Sequence, residues 1–261
     1  MPLLLYLIQG TRFMPQAIVI DTEVNNLDDR EAISVAWMEW GATGTAPQTF
    51  EAFYEPLNPI EPGAMAVHHI IPSDLVGCAP SGTFSVPWDV EYIIGHNVDF
   101  DYEVVGSPEG VKRICTLAIS RRLMPFAKAH NLTALMYYFA LRRLGESTDS
   151  LYEIRATREA MFHAHSASAD VRSCASLLRD HLIPLAESMY GKPIRSTETL
   201  WKFSEWCRVP VYMPFGKYRP RDKETATPIA KLPVDYLTWL DTGASDIDPY
   251  LKRAVRQALY G

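Results

Sequence analysis

The sequence has few cysteines and no excess of positive charge. Its 261 residues include 25 Lys and Arg against 31 Asp and Glu, which gives a formal net charge of −6 at pH 7. This balance argues against a protein that binds nucleic acid through overall positive charge, so any site for a polyanion has to be local or assisted by metal ions. The cysteines lie far apart without a C-x-x-C pair, which predicts neither a zinc cage nor a disulfide framework: Cys78, Cys115, Cys174 and Cys207.

The sequence also lacks a long apolar run. The run at residues 3–8 is too short to cross a bilayer, and no basic residue precedes it. We therefore expect no signal peptide and no membrane partner, and the cysteine pattern favours a cytoplasmic protein. We interpret residues 1–15 as an extra arm or a misassigned start, with Met14 as the alternative beginning of the folded domain.

The distribution of apolar residues predicts an α/β fold. Hydrophobic residues make up 48% of the chain, enough for one sizeable core with a small appended module. Apolar and β-branched clusters between turn-rich gaps predict a meander of three strands and two later strands, at residues 17–21, 32–40, about 50–54, 91–97 and 113–116. Helical spacing is found at residues 61–70, 117–125, 131–145 and 165–185. Strands first and helices interleaved later predict three layers.

The last quarter of the chain changes in composition. A helix is predicted at residues 196–208, and Pro210 ends it. Pro and Gly are dense after this point, and helical spacing returns at residues 236–240 and 250–259. We therefore predict three parts: the arm at residues 1–15, a main domain at residues 16–195 and a C-terminal module at residues 196–261.

Four carboxylates adjoin predicted buried elements instead of solvated faces. Asp21 and Glu23 follow the first apolar run, and because alternate side chains of a strand point the same way, they share one face. Asp101 opens a helix in "GHNVDFD", and Asp170 lies in a helical or pre-helical segment in "HSASAD". If these anions cluster, they repel one another strongly at low effective dielectric unless positive charge lies among them.

Hard divalent cations are the usual source of that positive charge. Mg²⁺ prefers oxygen ligands, so carboxylates without thiols are a suitable ligand set, and Mn²⁺ takes similar ligands. Two such ions can activate a water and stabilise the leaving oxygen of a phosphodiester. The water also needs a base that titrates near neutrality, and His165 lies five residues before Asp170. We predict two Mg²⁺ or Mn²⁺ ions per active site, with His165 as the general base.

Three motifs occur in an order that resembles a known family. "DTE", "HNVDFD" and "HSASAD" are similar, in order and separation, to the motifs of the DnaQ-like DEDDh 3′-5′ exonuclease superfamily, and within it to the exonuclease X-like proteins. "EPGAMAVHHI" and "RICTLAISRRLMP" resemble segments that members carry at the same places. The resemblance covers residues 18–182, and "FGKY" with "LPVDYLTWL" resembles the C-terminal module of exonuclease X-like proteins.

The resemblance implies a ribonuclease H-like fold with a mixed central sheet, and an enzyme that removes mononucleotides from DNA 3′ ends, single-stranded or duplex. It implies that Asp21, Glu23, Asp101 and Asp170 hold the two metal ions while His165 deprotonates the water. The substrate-binding residues that it implies are Thr22, Leu27, Met65, His68, Asn97 and Phe100. Relatives are often dimeric, which leaves a homodimer open.

Several of these residues also have plain structural interpretations. Asp21 and Glu23 could be solvated carboxylates in a turn at the end of a strand. His96 and Asn97 could cap the helix that follows them, which we favour over direct chemistry. Met65 is as readily explained by core packing. The DTE motif alone is a weak signal, and the two partner motifs are what favour catalysis.

Two residues compete with the assigned ones. His163 lies seven positions before Asp170 and breaks the family spacing, so we interpret it as a loop residue or as one that supports the ligands without touching the metal ions. Asp99 precedes Phe100 where the family pattern has a variable residue, and we predict that it lies on the surface.

The segment "GKYRPRDK" at residues 216–223 holds four cations against one acid, with Tyr218 among them. It could hold a phosphate backbone and stack a base, or it could be a charged linker. For the whole chain, two alternatives to a DNA exonuclease stay open: an RNA-trimming exoribonuclease of the same superfamily, and a catalytically silent nucleic-acid-binding module.

Overall fold

The structure is a computed structural model that describes residues 16–44, 46–142, 150–161, 165–245 and 247–261. The predicted arm at residues 1–15 lies outside these ranges, as does His163. The strands of the described chain are β1 (Ala17–Val24), β2 (Ala32–Glu39), β3 (Thr49–Glu55), β4 (Ala79–Pro80), β5 (Tyr92–Gly95) and β6 (Lys112–Cys115). They form a sheet in the order β4-β3-β2-β1-β5-β6.

The sheet is mixed, as predicted. Strands β1, β2 and β3 form the antiparallel meander, and β1 pairs in parallel with β5 on its other side. β1 runs three residues beyond its predicted end because its last residues stay paired with β2, with Asp21 opposite Ala36 and Glu23 opposite Ser34. The two carboxylates therefore lie within a strand and not in a solvated turn beyond it.

The centre of the sheet is buried on both faces. Four successive residues of β1, from Ala17 to Ile20, are buried, although successive side chains of a strand point to opposite faces. Ile33 of β2 and Ile93 of β5 are also fully buried beside them. Because a strand that is buried on both faces needs packing on both sides of its sheet, these residues confirm the predicted three-layer α/β class.

The helices also follow the predicted order along the chain. They are α1 (Pro62–His68), α2 (Val98–Val104), α3 (Thr116–Leu123), α4 (Leu132–Arg142), α5 (Ser150–Met161), α6 (Ala167–Ser176), α7 (Ile183–Tyr190), α8 (Thr197–Arg208), α9 (Val234–Thr242) and α10 (Pro249–Tyr260), with 3₁₀ turns at Pro72–Asp74 and Ile229–Lys231. In the ranges that the structure describes, no helix is both long and apolar enough to span a bilayer.

The helix predicted at residues 165–185 is divided into three pieces. α6 ends at Ser176, a π-helical segment follows at Leu177–Leu182, and α7 begins at Ile183. Pro184 lies in the first turn of α7 and has no N–H to donate to the residue four positions earlier. The change in hydrogen-bond pattern before this proline is therefore explained by the missing donor.

The contacts of the chain group it into two compact units. One comprises the described residues up to Ile94 together with Val98–Arg113 and His165–Arg172, and the other comprises those of Gly95–Asn97, Ile114–Ala164 and Ser173–Gly261. The predicted metal ligands and His165 all belong to the first unit. The second contains a hydrophobic cluster from the end of the chain: Met213, Ile229, Leu232, Leu237, Leu240, Leu251, Ala254 and Val255. The domain boundary near residues 195–210 stays a prediction.

Candidate active site

Three carboxylates from two elements converge in the first unit. Asp21 and Glu23 lie on the same face of β1 because one residue separates them, and Asp170 comes from the first turn of α6. One carboxylate oxygen from each of the three lies within 4.8 Å of the others. Residues that are about 150 positions apart in sequence are thus brought together, as their motifs predicted.

Asp101 lies beside this group and is fixed by the middle residue of the DTE motif. Its side chain is 4% exposed on α2. Its Oδ1 atom accepts two hydrogen bonds from Thr22, from the backbone N–H at 2.9 Å and from the hydroxyl at 2.9 Å. Substrate binding by Thr22 stays a prediction, and the contact that the structure shows for Thr22 holds a carboxylate in place.

Burial and mutual repulsion raise the pKa values of these carboxyls. Burial first, and then the Asp170 and Asp101 carboxylates, raise the pKa of Glu23 to about 8. Burial raises the pKa of Asp101 to about 7, although the hydrogen bonds from Thr22 oppose this change. The pKa of Asp21 is raised well above its ordinary value by burial and by the three neighbouring carboxylates. Full ionisation of the cluster near neutral pH is therefore unfavourable without added positive charge.

The donor set fits a hard divalent cation. Carboxylate oxygens are the ligands that Mg²⁺ and Mn²⁺ prefer, and a cation among them would favour the ionised forms that burial opposes. Asp21, Glu23 and Asp170 offer converging oxygens for such an ion. Asp101 adds a further carboxylate whose Oδ1 atom is already engaged by Thr22.

His165 is tied directly to Asp170. Its backbone N–H donates a hydrogen bond to Oδ2 of Asp170 at 3.2 Å, and His165 itself is exposed. Burial raises the pKa of Asp170, whereas the His165 N–H and the charge of the His165 ring lower it. The backbone of His165 adopts a left-handed conformation with φ of 69°, which is uncommon for a residue with a Cβ and marks a constrained position.

The residues expected to bind substrate fall into two groups. Leu27, Asn97 and Phe100 reach the surface at least in part, and Leu27 is 71% exposed. His68, in contrast, is buried, and its Nδ1 atom accepts a hydrogen bond from the N–H of Ile70 at 3.0 Å. Met65 is half-buried and packs against the hydrophobic cluster of Ile33, Ile60 and Leu75. The open interpretation of Met65 as a packing residue is therefore supported by its contacts.

The loop that presents Leu27 is braced by residues that the sequence interpretation missed. The Glu31 carboxylate accepts hydrogen bonds from the N–H groups of Leu57 and Asn58, at 3.1 and 2.8 Å, and from the side-chain amide of Asn25 at 3.1 Å. These partners lie up to 27 positions away in sequence, so no local pattern predicts the contacts. From the sequence alone, an acid such as Glu31 in an Asn- and Asp-rich loop is interpreted as solvated.

Arg30 braces the same loop from a second direction. It forms an ion pair with Glu103 of α2 at 2.6 Å, and its guanidinium carbon lies 5.4 Å from the centre of the Phe100 ring. Both partners flank Asp101 on α2, so the loop after β1 is connected to the helix that supplies a cluster carboxylate.

His96 and Asp99 are occupied by structural contacts. The Nε2 atom of His96 donates to the carbonyl of His130 at 2.7 Å, and its Nδ1 atom lies 2.9 Å from the hydroxyl of Thr116. Burial lowers the pKa of His96 to about 4, so the ring is neutral at physiological pH. Asp99 is half-buried in an ion pair with Arg113 at 2.7 Å. The ring of His96 is therefore engaged by Thr116 and His130 and not by a cap of α2, which was the role we favoured for it.

Solved structures of exonucleases resemble this fold. Exonuclease X in complex with 5′ overhanging duplex DNA is 23% identical, with a TM-score of 0.50, over 72% of this chain and 99% of the other. A zinc ion-bound exonuclease I of E. coli with single-stranded DNA is 16% identical, with a TM-score of 0.48, over 73% of this chain and 43% of the other. Exonuclease I from Methylocaldum szegediense is 18% identical, with a TM-score of 0.47, over 90% of this chain and 61% of the other.

The likeness to exonuclease X shows a shared fold and confirms the predicted ribonuclease H-like class. This chain spans less than two thirds of either exonuclease I. No family model matches the sequence, and no curated protein matches it either.

Proposed function

We propose that the chain is a metal-dependent 3′-to-5′ exodeoxyribonuclease that hydrolyses DNA from its 3′ ends and releases 5′-mononucleotides. The observation that carries this proposal is the convergence of Asp21, Glu23 and Asp170 within 4.8 Å. Such a cluster, with raised pKa values, is stable in its ionised form only when cations lie among the carboxylates. Carboxylates that gather cations at a buried strand in a ribonuclease H-like fold suit phosphodiester hydrolysis.

Each residue of the cluster has a distinct task in this proposal. Asp21, Glu23, Asp101 and Asp170 would hold two divalent ions, which supply activation of a water and stabilisation of the leaving 3′ oxygen. His165 accepts the proton of the attacking water, since this exposed residue is close enough to Asp170 for its charge to lower the pKa of that carboxyl. The Asp170 carboxylate stabilises the imidazolium that this transfer produces.

DNA is the proposed substrate because the exonuclease X structure that shares this fold is in complex with duplex DNA carrying a 5′ overhang. We propose no sequence preference, since backbone and stacking contacts do not read base edges. The exposed Leu27 would contact the terminal base, held in place by the hydrogen bonds of Glu31.

The test is cleavage of end-labelled oligonucleotides by the purified full chain with Mg²⁺ or Mn²⁺, with and without a chelator. We expect stepwise shortening from the 3′ end that the chelator stops and that Asp21→Asn lowers at least 1,000-fold, because a metal ligand is lost. Asp99→Asn is the matched control: it neutralises a half-buried aspartate near the cluster carboxylate Asp101 in sequence, and the rate should change by less than about three-fold. Unchanged rates for Asp21→Asn would overturn the assignment.

Matched single-stranded DNA, duplex DNA and RNA of one sequence separate the open alternatives. An exodeoxyribonuclease shortens the DNA and shortens RNA at least ten-fold more slowly, since a site shaped for deoxyribose accommodates the 2′-hydroxyl poorly. Faster shortening of RNA would favour the exoribonuclease. Binding of all three without any cleavage would favour the catalytically silent module.

A further inference from the structure

A compact set of aromatic residues and one lysine lies near the end of the chain, in the second unit. We call it the aromatic platform: Lys217, Tyr218, Tyr236 and Trp239. The rings of Tyr218 and Tyr236 meet edge to face with centres 4.7 Å apart, and Tyr236 stacks on Trp239 with centres 5.8 Å apart and 29° between the planes. The Nζ atom of Lys217 lies 4.7 Å from the Tyr218 ring centre and 5.5 Å from that of Tyr236.

The platform is anchored on its inner side. Tyr218 and Tyr236 are half-buried and pack against the hydrophobic cluster that runs from Met213 to Val255. Tyr236 and Trp239 are three residues apart on α9, so they are neighbours on one helix face. The stack therefore has a fixed base and one outer ring.

Trp239 is that outer ring, and it is 54% exposed. The indole lies close to Gly243: a Cβ added to this glycine would be only 3.0 Å from Cδ1 of Trp239, so the glycine leaves room that the ring occupies. The carbonyl of Trp239 also accepts hydrogen bonds from the N–H groups of Gly243 and Ala244, at 2.8 and 3.0 Å. A large aromatic ring that is more than half exposed therefore lies at the outer end of the stack.

Positive charge surrounds the platform in sequence. Lys217, Arg219, Arg221 and Lys223 are all exposed within a stretch of seven residues. The acid in this stretch, Asp222, accepts hydrogen bonds from the N–H and the hydroxyl of Thr225, at 2.8 and 2.6 Å. A chain with a net charge of −6 therefore concentrates four cations in a short segment that includes two members of the platform, Lys217 and Tyr218.

We propose that the aromatic platform binds single-stranded nucleic acid, with a base stacked on Trp239 and phosphates held by Lys217 and Arg219. Stacking needs an unpaired base, because the faces of bases within a duplex are covered by their neighbours, and this favours a single strand over a duplex. The flanking cations match a phosphate backbone and carry no sequence preference. The choice of ligand rests on the proposed function, and the site would be a contact of the enzyme with its strand that is distinct from the carboxylate cluster.

The experiment measures binding of fluorescein-labelled (dT)₂₀ to the full chain by anisotropy, in chelator so that no cleavage occurs. A matched pair tests stacking: Trp239→Leu keeps apolar volume but removes the flat ring, whereas Trp239→Phe keeps a ring. We expect Trp239→Leu to weaken binding about ten-fold and Trp239→Phe to weaken it about three-fold or less. Tyr260→Ala, which removes another exposed aromatic residue of the module, should leave the affinity unchanged.

The salt dependence tests the phosphate contacts. Replacing both Lys217 and Arg219 by alanine should reduce the slope of log affinity against log salt by about 1.4, since each lost contact to a single strand lowers it by about 0.7. Lys202→Ala, on the exposed face of α8 where the lysine pairs with Glu198 at 3.2 Å, is the charge control and should keep the slope. Thermal melting of every variant verifies that the fold is retained.

The outcomes distinguish this proposal from the proposed function. Equal affinity of Trp239→Leu and the unchanged protein for (dT)₂₀, or tighter binding of a 20-base-pair duplex than of the single strand, would overturn the platform proposal whether or not the protein cleaves DNA. If Trp239→Leu loses binding and the unchanged protein does not cleave DNA, the platform is retained and the nuclease is rejected. If both hold, Trp239→Leu should raise KM for (dT)₂₀ about ten-fold at unchanged kcat.

Discussion

Two charged regions of this chain differ in how they accommodate their charges. The carboxylate cluster holds like charges together where Asp101 is buried and the other three acids are half-buried, and burial and repulsion raise the pKa of Glu23 to about 8 and that of Asp101 to about 7. The cations near the aromatic platform are exposed and lie along a few consecutive residues. Water screens the second set more strongly than the first.

The contrast indicates what each region is suited for. Buried, unneutralised acids lower the stability of the folded chain, so their presence indicates a ligand of opposite charge. Exposed cations cost little stability and are common without any partner, so they acquire meaning only from the aromatic platform, which one of them, Lys217, contacts. The cluster is consequently the stronger functional signal, and the platform requires the direct binding test.

The largest expected effect separates chemistry from binding. His165→Ala removes the proposed proton acceptor and should lower kcat by about 100- to 10,000-fold, while the affinity for (dT)₂₀ in chelator changes by less than about two-fold. Single-turnover cleavage and anisotropy on the same preparation measure the two quantities. A parallel fall in both would mean that His165 shapes the strand-binding surface, and the contrast between the two regions would then be wrong.

The next effect is on the stability of the metal-free chain. An acid whose pKa is higher in the folded state keeps a proton that the unfolded chain has lost, so stability falls as the pH rises from the unfolded pKa to the folded one. For Glu23 this window runs from 4.5 to about 8. We expect Tm in chelator to fall by several degrees across that range, with Asp21→Asn reducing the fall because one repelling charge is absent.

Added divalent ions should reverse that loss. Mn²⁺ or Mg²⁺ should raise Tm more at pH 8 than at pH 5, because protons compete for the same carboxylates at the lower pH. A calorimetric titration over this range tests the expectation, and the charge control Lys202→Ala should behave as the unchanged protein does. A rise in Tm that is independent of pH, or equal in Asp21→Asn, would contradict a metal site in the cluster.

A moderate effect is expected from the residue that holds Asp101. Thr22→Val removes the hydroxyl donor to Oδ1 while the backbone N–H remains, which raises the pKa of Asp101 further and should slow cleavage about ten-fold. The acidic limb of the rate profile should move to higher pH. Thr22→Ser, which retains the hydroxyl, should keep both rate and profile, and a Val variant with an unshifted profile would assign Thr22 a packing role instead.

The smallest effect concerns the loop that presents Leu27. Glu31→Gln keeps the size of the side chain but replaces one accepting oxygen by an NH₂ group, so one of the N–H groups of Leu57 and Asn58 loses its acceptor and the loop is less well placed. We expect KM to rise about three- to five-fold with little change in kcat. Steady-state kinetics on a short single strand measure both values, and a fall in kcat alone would indicate that Glu31 acts on the cluster.

Much of the fold was readable from the sequence because its patterns are local. The meander of β1 to β3 follows from clusters of apolar and β-branched residues, and α8 follows from its cap at Ser196, whose hydroxyl accepts from the N–H of Thr199. The helix at residues 165–185 was predicted as one piece, although Pro184 indicates the division between α6 and α7. The end of β1 was placed too early because the acids of the DTE motif resemble turn residues, while pairing with β2 keeps them in the sheet.

The sequence alone determined which functional groups the chain offers: three acidic motifs in order, a histidine five residues before the last acid, and a cationic stretch near the end. Only the tertiary structure decided that Asp21, Glu23 and Asp170 meet within 4.8 Å, that Thr22 holds Asp101 across 79 positions, and that Tyr236 stacks on Trp239. The physical reason is that residue types and periodicity are encoded locally. Distances between remote side chains, and the burial that shifts their pKa values, exist only after strands and helices have packed.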